Sequence, residues 1–146
     1  MAVTAHAYPV ALKGMLVGTT NAVWDWDTDT IKCALCTSSY TPAQNTHTFF
    51  NNITNEVSGT GYTAGGATLG SATGTVVSNT VQLDANDATW SSSTITARYA
   101  IVYKSTGTAS TSPLIGYVDF GADVSTTSGT FTITWDATGV VVFTCS

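Results

Sequence analysis

The chain has 146 residues, of which 43% are hydrophobic, only 9% are charged and 29 are threonine. This length suits a single domain that buries a core without disulfides or metal. Recurrent aromatic and β-branched residues exclude a disordered chain. The net charge of −5, with four basic residues, offers no phosphate-neutralising patch, so we expect no nucleic-acid partner. Because no apolar run approaches the roughly 18 residues that cross a bilayer, we also expect no membrane partner.

The scarcity of charge favours a protein whose faces are covered by neighbouring subunits, because charged residues are depleted at interface centres. A secreted β-domain is the alternative that composition leaves open. Cys33, Cys36 and Cys145 are too few and odd in number for a disulfide framework, which predicts free thiols in a reducing compartment. We therefore expect synthesis in the cytoplasm.

Residues 1–20 are predicted to form an N-terminal arm or a short helix. Pro9 suits the first position of a helix, and Tyr8, Leu12 and Met15 would then share one face. The β-branched residues at the ends of this segment favour an extended form as strongly as Pro9 and the shared face favour a helix. Both forms stay open from the sequence.

Asp25, Asp27 and Asp29 alternate as carboxylates do at the start of an EF-hand calcium loop. The sixth position, however, is Thr30 instead of glycine, and the twelfth is Cys36 instead of glutamate. The pattern thus favours an Asx-rich turn over a calcium site. We predict no cofactor and no metal.

The pair Cys33 and Cys36 has the spacing of a zinc or redox motif, but no second ligand pair accompanies it. On a strand over residues 31–36 the two sulfurs would point to opposite faces, with Ile31, Cys33 and Leu35 directed inward. We interpret the cysteines as small core residues. No serine lies in a nucleophile elbow, and we predict that the chain is not an enzyme.

Residues 21–146 are predicted to form one all-β domain, an antiparallel β-sandwich or a barrel-like fold. Period-two alternation of apolar and polar residues is clearest over 94–104. Residues 38–55 are expected to be a polar loop with one helical turn, and the glycine-rich residues 58–66 a tight connection. The predicted strands are 67–71, 74–84, 88–90, 94–104, 113–120, 129–135 and 139–144.

Four tryptophans and six tyrosines suggest either a sugar-binding platform or aromatic packing, and packing is the better interpretation because Trp90 and Trp135 lie on or beside predicted strands. Trp24 and Trp26 lie in a turn instead. They are therefore candidates for anchoring a subunit interface.

Five segments together resemble a family of small virion structural proteins of tailed bacteriophages. The segments are WDTDTIK at 26–32, TSSYTP at 37–42, EVSGTGYTAGG at 56–66, TARYA at 96–100 and LIGYVDFG at 114–121. The chain departs from the family pattern at Cys33 and Cys36, and at residues 70–79, where we expect a loop.

The resemblance implies a capsid decoration, or cement, protein on the capsid surface of the virion, whose partner is the major capsid protein. It would assemble as a homo-oligomer, with a trimer favoured by symmetry. A phage tail, fibre or baseplate component and a carbohydrate-binding β-module are the alternatives. The residues expected at the subunit interface are Tyr8, Pro9, Trp24, Trp26 and Tyr62.

Overall fold

Two antiparallel sheets pack face to face in the computed structural model, which describes residues 2–18 and 22–146. The predicted all-β sandwich with a short helix is confirmed. The elements of the described ranges are β1 (Thr4–Ala7), α1 (Pro9–Leu16), β2 (Ile31–Cys36), β3 (Ala67–Thr68), β4 (Thr73–Val77), β5 (Thr80–Asp84), β6 (Ala88–Lys104), β7 (Leu114–Ile133) and β8 (Val141–Thr144), with 3₁₀ turns at Phe50–Asn52 and Ala109–Thr111.

The larger sheet has the strand order β1-β7-β6-β2-β3, and the smaller sheet has the order β4-β5-β8. The main core lies between them, because each sheet directs one apolar face inward. Leu83 of the small sheet meets Ile31, Cys33 and Leu35 of β2 in this cluster. The predicted inward direction of these three β2 side chains is confirmed.

A second apolar cluster lies on the opposite face of the large sheet. Ala34 and Cys36 of β2 pack there with Tyr8 and Tyr40. Because both faces of β2 are covered, its central residues are buried without alternation, as in strands enclosed on both sides. Cys33 and Cys36 are buried free thiols on opposite faces, as the strand interpretation requires.

The N-terminal segment is both extended and helical, and it belongs to the sandwich instead of forming a separate arm. Strand β1 pairs with β7, and α1 follows with Pro9 at its start. Ala11 and Gly14 are the buried residues of α1, since small side chains let the helix lie close to the sheet. Residues 19–21 lie outside the described ranges, and no helix within those ranges is long and apolar enough to cross a membrane.

Strands β6 and β7 are longer than predicted, because the serine-rich stretch between Trp90 and Ile95 continues as paired strand. The pairing shifts register on both sides of Ser93, which marks bulges. Ser93 is buried and its hydroxyl contacts Thr126 Oγ1 at 2.8 Å. Because the buried Ser93 hydroxyl is hydrogen-bonded at the bulge, the pairing of β6 with β7 continues through serine residues of low β propensity.

The structure corrects both the loop expected over residues 70–79 and the single strand predicted over 74–84, which is a hairpin of two strands. Thr73–Val77 is strand β4, and it pairs with β5 from Thr73 opposite Asp84 to Val77 opposite Thr80. Ser78 and Asn79 form the turn, with φ of 45° and 62°. Positive φ at both central residues is the geometry of a type I′ hairpin turn, which suits the twist of the flanking strands.

Candidate protein interface

The four aromatic residues expected at an interface are partly or wholly enclosed by the chain itself. Tyr8 is fully buried, and its hydroxyl lies 3.0 Å from the Tyr40 hydroxyl, which in turn lies 2.9 Å from His47 Nδ1. This chain of polar contacts ties α1 to the loop that follows β2. Pro9, next to Tyr8, is exposed.

Trp24 and Trp26 are core residues, only 8% and 4% exposed. Their rings lie edge to face with centroids 6.4 Å apart. The Trp26 indole N–H donates to the Asp84 carbonyl at 2.8 Å, which ties the turn to the small sheet. Their aromatic area therefore stabilises the sandwich and is not available to a partner, which corrects the expected anchor role.

Tyr62 is half-buried and fixes the glycine-rich connection to the large sheet. Its hydroxyl donates to Glu56 Oε1 at 2.6 Å and accepts the Leu35 N–H at 3.0 Å. Its ring stacks on Trp90 with centroids 6.0 Å apart. Burial, and then the hydrogen bond to Glu56, raise the pKa of Tyr62. Tyr62 thus positions the glycine-rich loop, and its place at a subunit interface stays a prediction.

The three alternating aspartates close a turn among themselves. Asp25 Oδ1 accepts the N–H groups of Asp27 and Thr28 at 3.1 and 3.3 Å, and Asp29 Oδ2 accepts the Asp25 N–H at 2.7 Å. Asp29 also pairs with Lys104 Nζ at 2.9 Å. This is the Asx-rich turn that the sequence favoured, and within residues 2–18 and 22–146 no group of three potential ligands converges to hold a metal ion.

Two of the few basic residues form ion pairs with aspartates of the same chain. Arg98 Nε lies 2.5 Å from Asp119 Oδ1, and its hydrogen bond holds the pKa of that carboxyl below its ordinary value. Lys104 is paired with Asp29 in the same way. Two of the four basic residues are therefore engaged inside the fold.

Strand β4 is an exposed edge that the sequence did not identify as a contact site. It forms one edge of the small sheet, and every residue of Thr73–Val77 is exposed. Val76 is 75% exposed and Val77 is 50% exposed. The signal in the sequence was a Ser78–Asn79 turn between two β-branched pairs, the pattern of a hairpin.

Natural sheets protect their edges with charged residues, proline or bulges. Strand β4 contains no charged residue and no proline, and its pairing with β5 is in continuous register. Two acidic residues lie at its base, where Asp84 pairs opposite Thr73 and Asp27 Oδ1 lies 3.3 Å from the position that a Cβ on Gly74 would take. Strand β4 therefore has exposed valines at the end next to the Ser78–Asn79 turn and acidic residues at its base.

Comparison of the chain with protein-family models, curated proteins and solved structures gives no significant match.

Proposed function

We propose that this chain is a structural virion protein that decorates the shell of the major capsid protein, acting by stoichiometric binding and not by turnover. The observation that carries the proposal is the unprotected edge strand β4 with its exposed valines. The particle that we propose is the virion of a tailed bacteriophage, because the five sequence segments resemble virion proteins of such phages. Assembly in the host cytoplasm and a position on the capsid surface follow from that role.

An open strand edge binds other chains through main-chain hydrogen bonds, which need no charged side chains. Such binding suits a chain with 9% charged residues. A complementary strand would place apolar side chains against Val76 and Val77, and a basic residue near Asp27. We expect the partner surface on the capsid subunit to have this chemistry.

A symmetric homo-oligomer fits the same role, since most repeated assemblies are closed and cyclic. A trimer at a three-fold position of the shell is the arrangement we favour. Its interface would use a surface other than β4, so that the edge stays free for the capsid subunit.

The alternatives have less support. A tail, fibre or baseplate component would use the same kind of edge and differs in copy number. A sugar-binding module requires exposed aromatic faces, and three of the four tryptophans, Trp24, Trp26 and Trp90, are buried.

The test is co-sedimentation of the purified chain with shells of the major capsid protein. Val76→Lys places a charge at the centre of the proposed contact. Because binding would remove water from this charge without providing an opposite charge, we expect the affinity for shells to fall about tenfold or more. Val23→Lys is the matched control, because Val23 is also an exposed valine, 48% exposed, and lies outside β4. Equal binding by both variants and the parent chain would rule out β4 as the contact.

A further inference from the structure

The flank of the sandwich opposite β4 is open and apolar. Two adjoining cavities follow this flank: one of about 180 Å³ lies between β1 and β8, and one of about 550 Å³ lies between β1, β7 and the residues that lead from β7 to β8. Both are lined by Ala5, Val118, Trp135 and Val140. We call this surface the β1–β8 groove.

The groove exists because the two sheets differ in width. The large sheet has five strands and the small sheet has three, so β8 does not reach across β7 and β1. Val118 and Phe120 of β7, partly buried against the main core, form the floor of the larger cavity. The apolar face of the large sheet lacks the covering strand that it has elsewhere.

One wall of the groove is a backbone edge. Strand β8 pairs only with β5 among the described residues, and the Cys145 N–H donates to the Asn79 carbonyl at 2.7 Å. Because backbone groups alternate in direction along an antiparallel strand, the N–H and C=O groups of Val142 and Thr144 point away from β5. They face the open side.

These features distinguish a peptide from a small apolar ligand as the occupant. An apolar molecule in the groove would cover the edge of β8 and leave its N–H and C=O groups without partners, which is costly. An extended peptide satisfies them while its side chains fill the cavities. Among the described residues that line the two cavities, His6 and Asp136 are the only basic or acidic ones, so the peptide should be uncharged along its centre.

We propose that the β1–β8 groove accepts an extended segment of another protein chain, which adds to the small sheet as a fourth strand beside β8. Its alternate, apolar side chains lie on Val118 and Phe120. This goes beyond the proposed function, since it concerns the edge opposite β4 and holds whatever particle contains the chain. Its test needs this chain alone, so its failure is distinguishable from failure of the β4 contact.

The first experiment tethers a donor strand to the full chain. An Asn-Gly turn and a strand of about six residues are added after Ser146, with valines at the positions that pair with Val141 and Phe143 and threonines between them. A control extension has the same composition shifted by one residue, which turns its valines away from the groove. The in-phase extension should raise Tm by about 4 °C and slow hydrogen exchange at the Val142 and Thr144 amides about tenfold.

A second pair of variants tests where the strand lies. Ala5→Lys places a charge in both cavities, whereas Thr4→Lys changes the neighbouring exposed residue of β1, which does not line the groove. We expect Ala5→Lys to abolish the gain in Tm from the in-phase extension and Thr4→Lys to retain it.

The same in-phase strand, added as a separate capped peptide, should protect the Val142 and Thr144 amides in a saturable manner, and the shifted peptide should not. The inference is overturned if in-phase and shifted strands give equal Tm and equal exchange, tethered or free. It is also overturned if Ala5→Lys leaves the gain intact.

Discussion

Buried tyrosine hydroxyls connect the long loops of this protein to its large sheet. Tyr62 bonds both Glu56 and the backbone of Leu35, and the Tyr103 hydroxyl donates to the Gly65 carbonyl at 2.7 Å. These bonds hold the glycine-rich connection against β2. In this chain, which has few charged residues, hydrogen bonds of tyrosine hydroxyls attach the loop to the sheet.

Tyr62→Phe should lower the free energy of unfolding by about 1–3 kcal/mol, because it leaves the Leu35 N–H buried without its acceptor. Urea unfolding measures the change. Tyr99→Phe is the control, since among the described residues the Tyr99 hydroxyl makes no hydrogen bond. A loss for Tyr62→Phe no larger than that for Tyr99→Phe would contradict the role given to the Tyr62 hydroxyl.

Stability should fall in alkaline solution. Burial raises the pKa of Tyr40, Tyr103 and Cys36 to about 12 in each case, above the ordinary values of 10.0 for tyrosine and 9.0 for cysteine. At high pH these groups bind more protons in the folded state than in the unfolded state. Their contribution to the free energy of unfolding is therefore complete below about pH 9 and is lost as the pH rises towards about 12. Tyr8 and Tyr62 shift in the same direction.

Urea midpoints measured under reducing conditions between about pH 8 and about pH 11 test this. The midpoint should decrease across the range, and less steeply in Tyr40→Phe, which removes one of the titrating groups. Midpoints that stay constant across the range would show that these groups titrate alike in the folded and unfolded chain.

The residues that the sequence misassigned have partners far away in the chain. Trp24 and Trp26 follow one another around a polar turn, and nothing local distinguishes a buried from an exposed indole there. The Trp26 N–H finds its acceptor at Asp84, 58 residues later. By contrast, the Asx turn of Asp25 and Asp29 is closed by local bonds, and such bonds are predictable from spacing.

At the scale of elements, two strands that pair on both sides were predicted closely. Ile31–Cys36 was predicted from a short, apolar-rich run, and the second half of β6 from the alternation of apolar and polar residues. The continuous course of β6 through Ser93 and of β7 through residues 121–128 was not predictable. There, pairing between the two strands and their bulges overrides weak local propensity.

Strand β3 is held against β2 by the close approach of Gly66. Its φ is +75°, and a Cβ at this position would lie 1.9 Å from the Cys33 carbonyl oxygen. Gly107 has a similar φ of +86°, but a Cβ there meets nothing within 4 Å. The two glycines share the backbone conformation and differ in the space around them.

Gly107→Ala should therefore cost about 1–2 kcal/mol, the penalty for a left-handed alanine, and Gly66→Ala should cost more because the backbone of β2 must also move. Thermal unfolding compares them. If Gly66→Ala lowers Tm no more than Gly107→Ala does, the close packing of β3 on β2 is not what requires glycine. Should Gly66→Ala fail to fold, the yields of soluble Gly66→Ala and Gly107→Ala would provide the same comparison.

At the scale of the whole molecule, both edges of the small sheet are open. Strand β4 presents exposed valines at one edge, and β8 borders the apolar groove at the other. The sequence predicted the sandwich and a surface poor in charge, but not which edges are open. Strand order depends on long-range pairing, which residue patterns along the chain do not specify.

A molecule with two open edges is suited to linking neighbours in a lattice, because each edge can bind a different chain. Stabilisation of a shell then follows by mass action, since a protein that binds only the assembled state favours that state. The groove and the β4 edge would contribute independently, being at opposite sides of the small sheet.

The most direct test of the proposed decoration role is the copy number of this chain in purified virus particles, measured by quantitative mass spectrometry against the major capsid protein. We expect a stoichiometry comparable to that of the capsid subunit, with shell stability falling when the gene is removed. A handful of copies per particle would contradict decoration and assign the chain to the tail, and its absence from particles would contradict a virion role altogether.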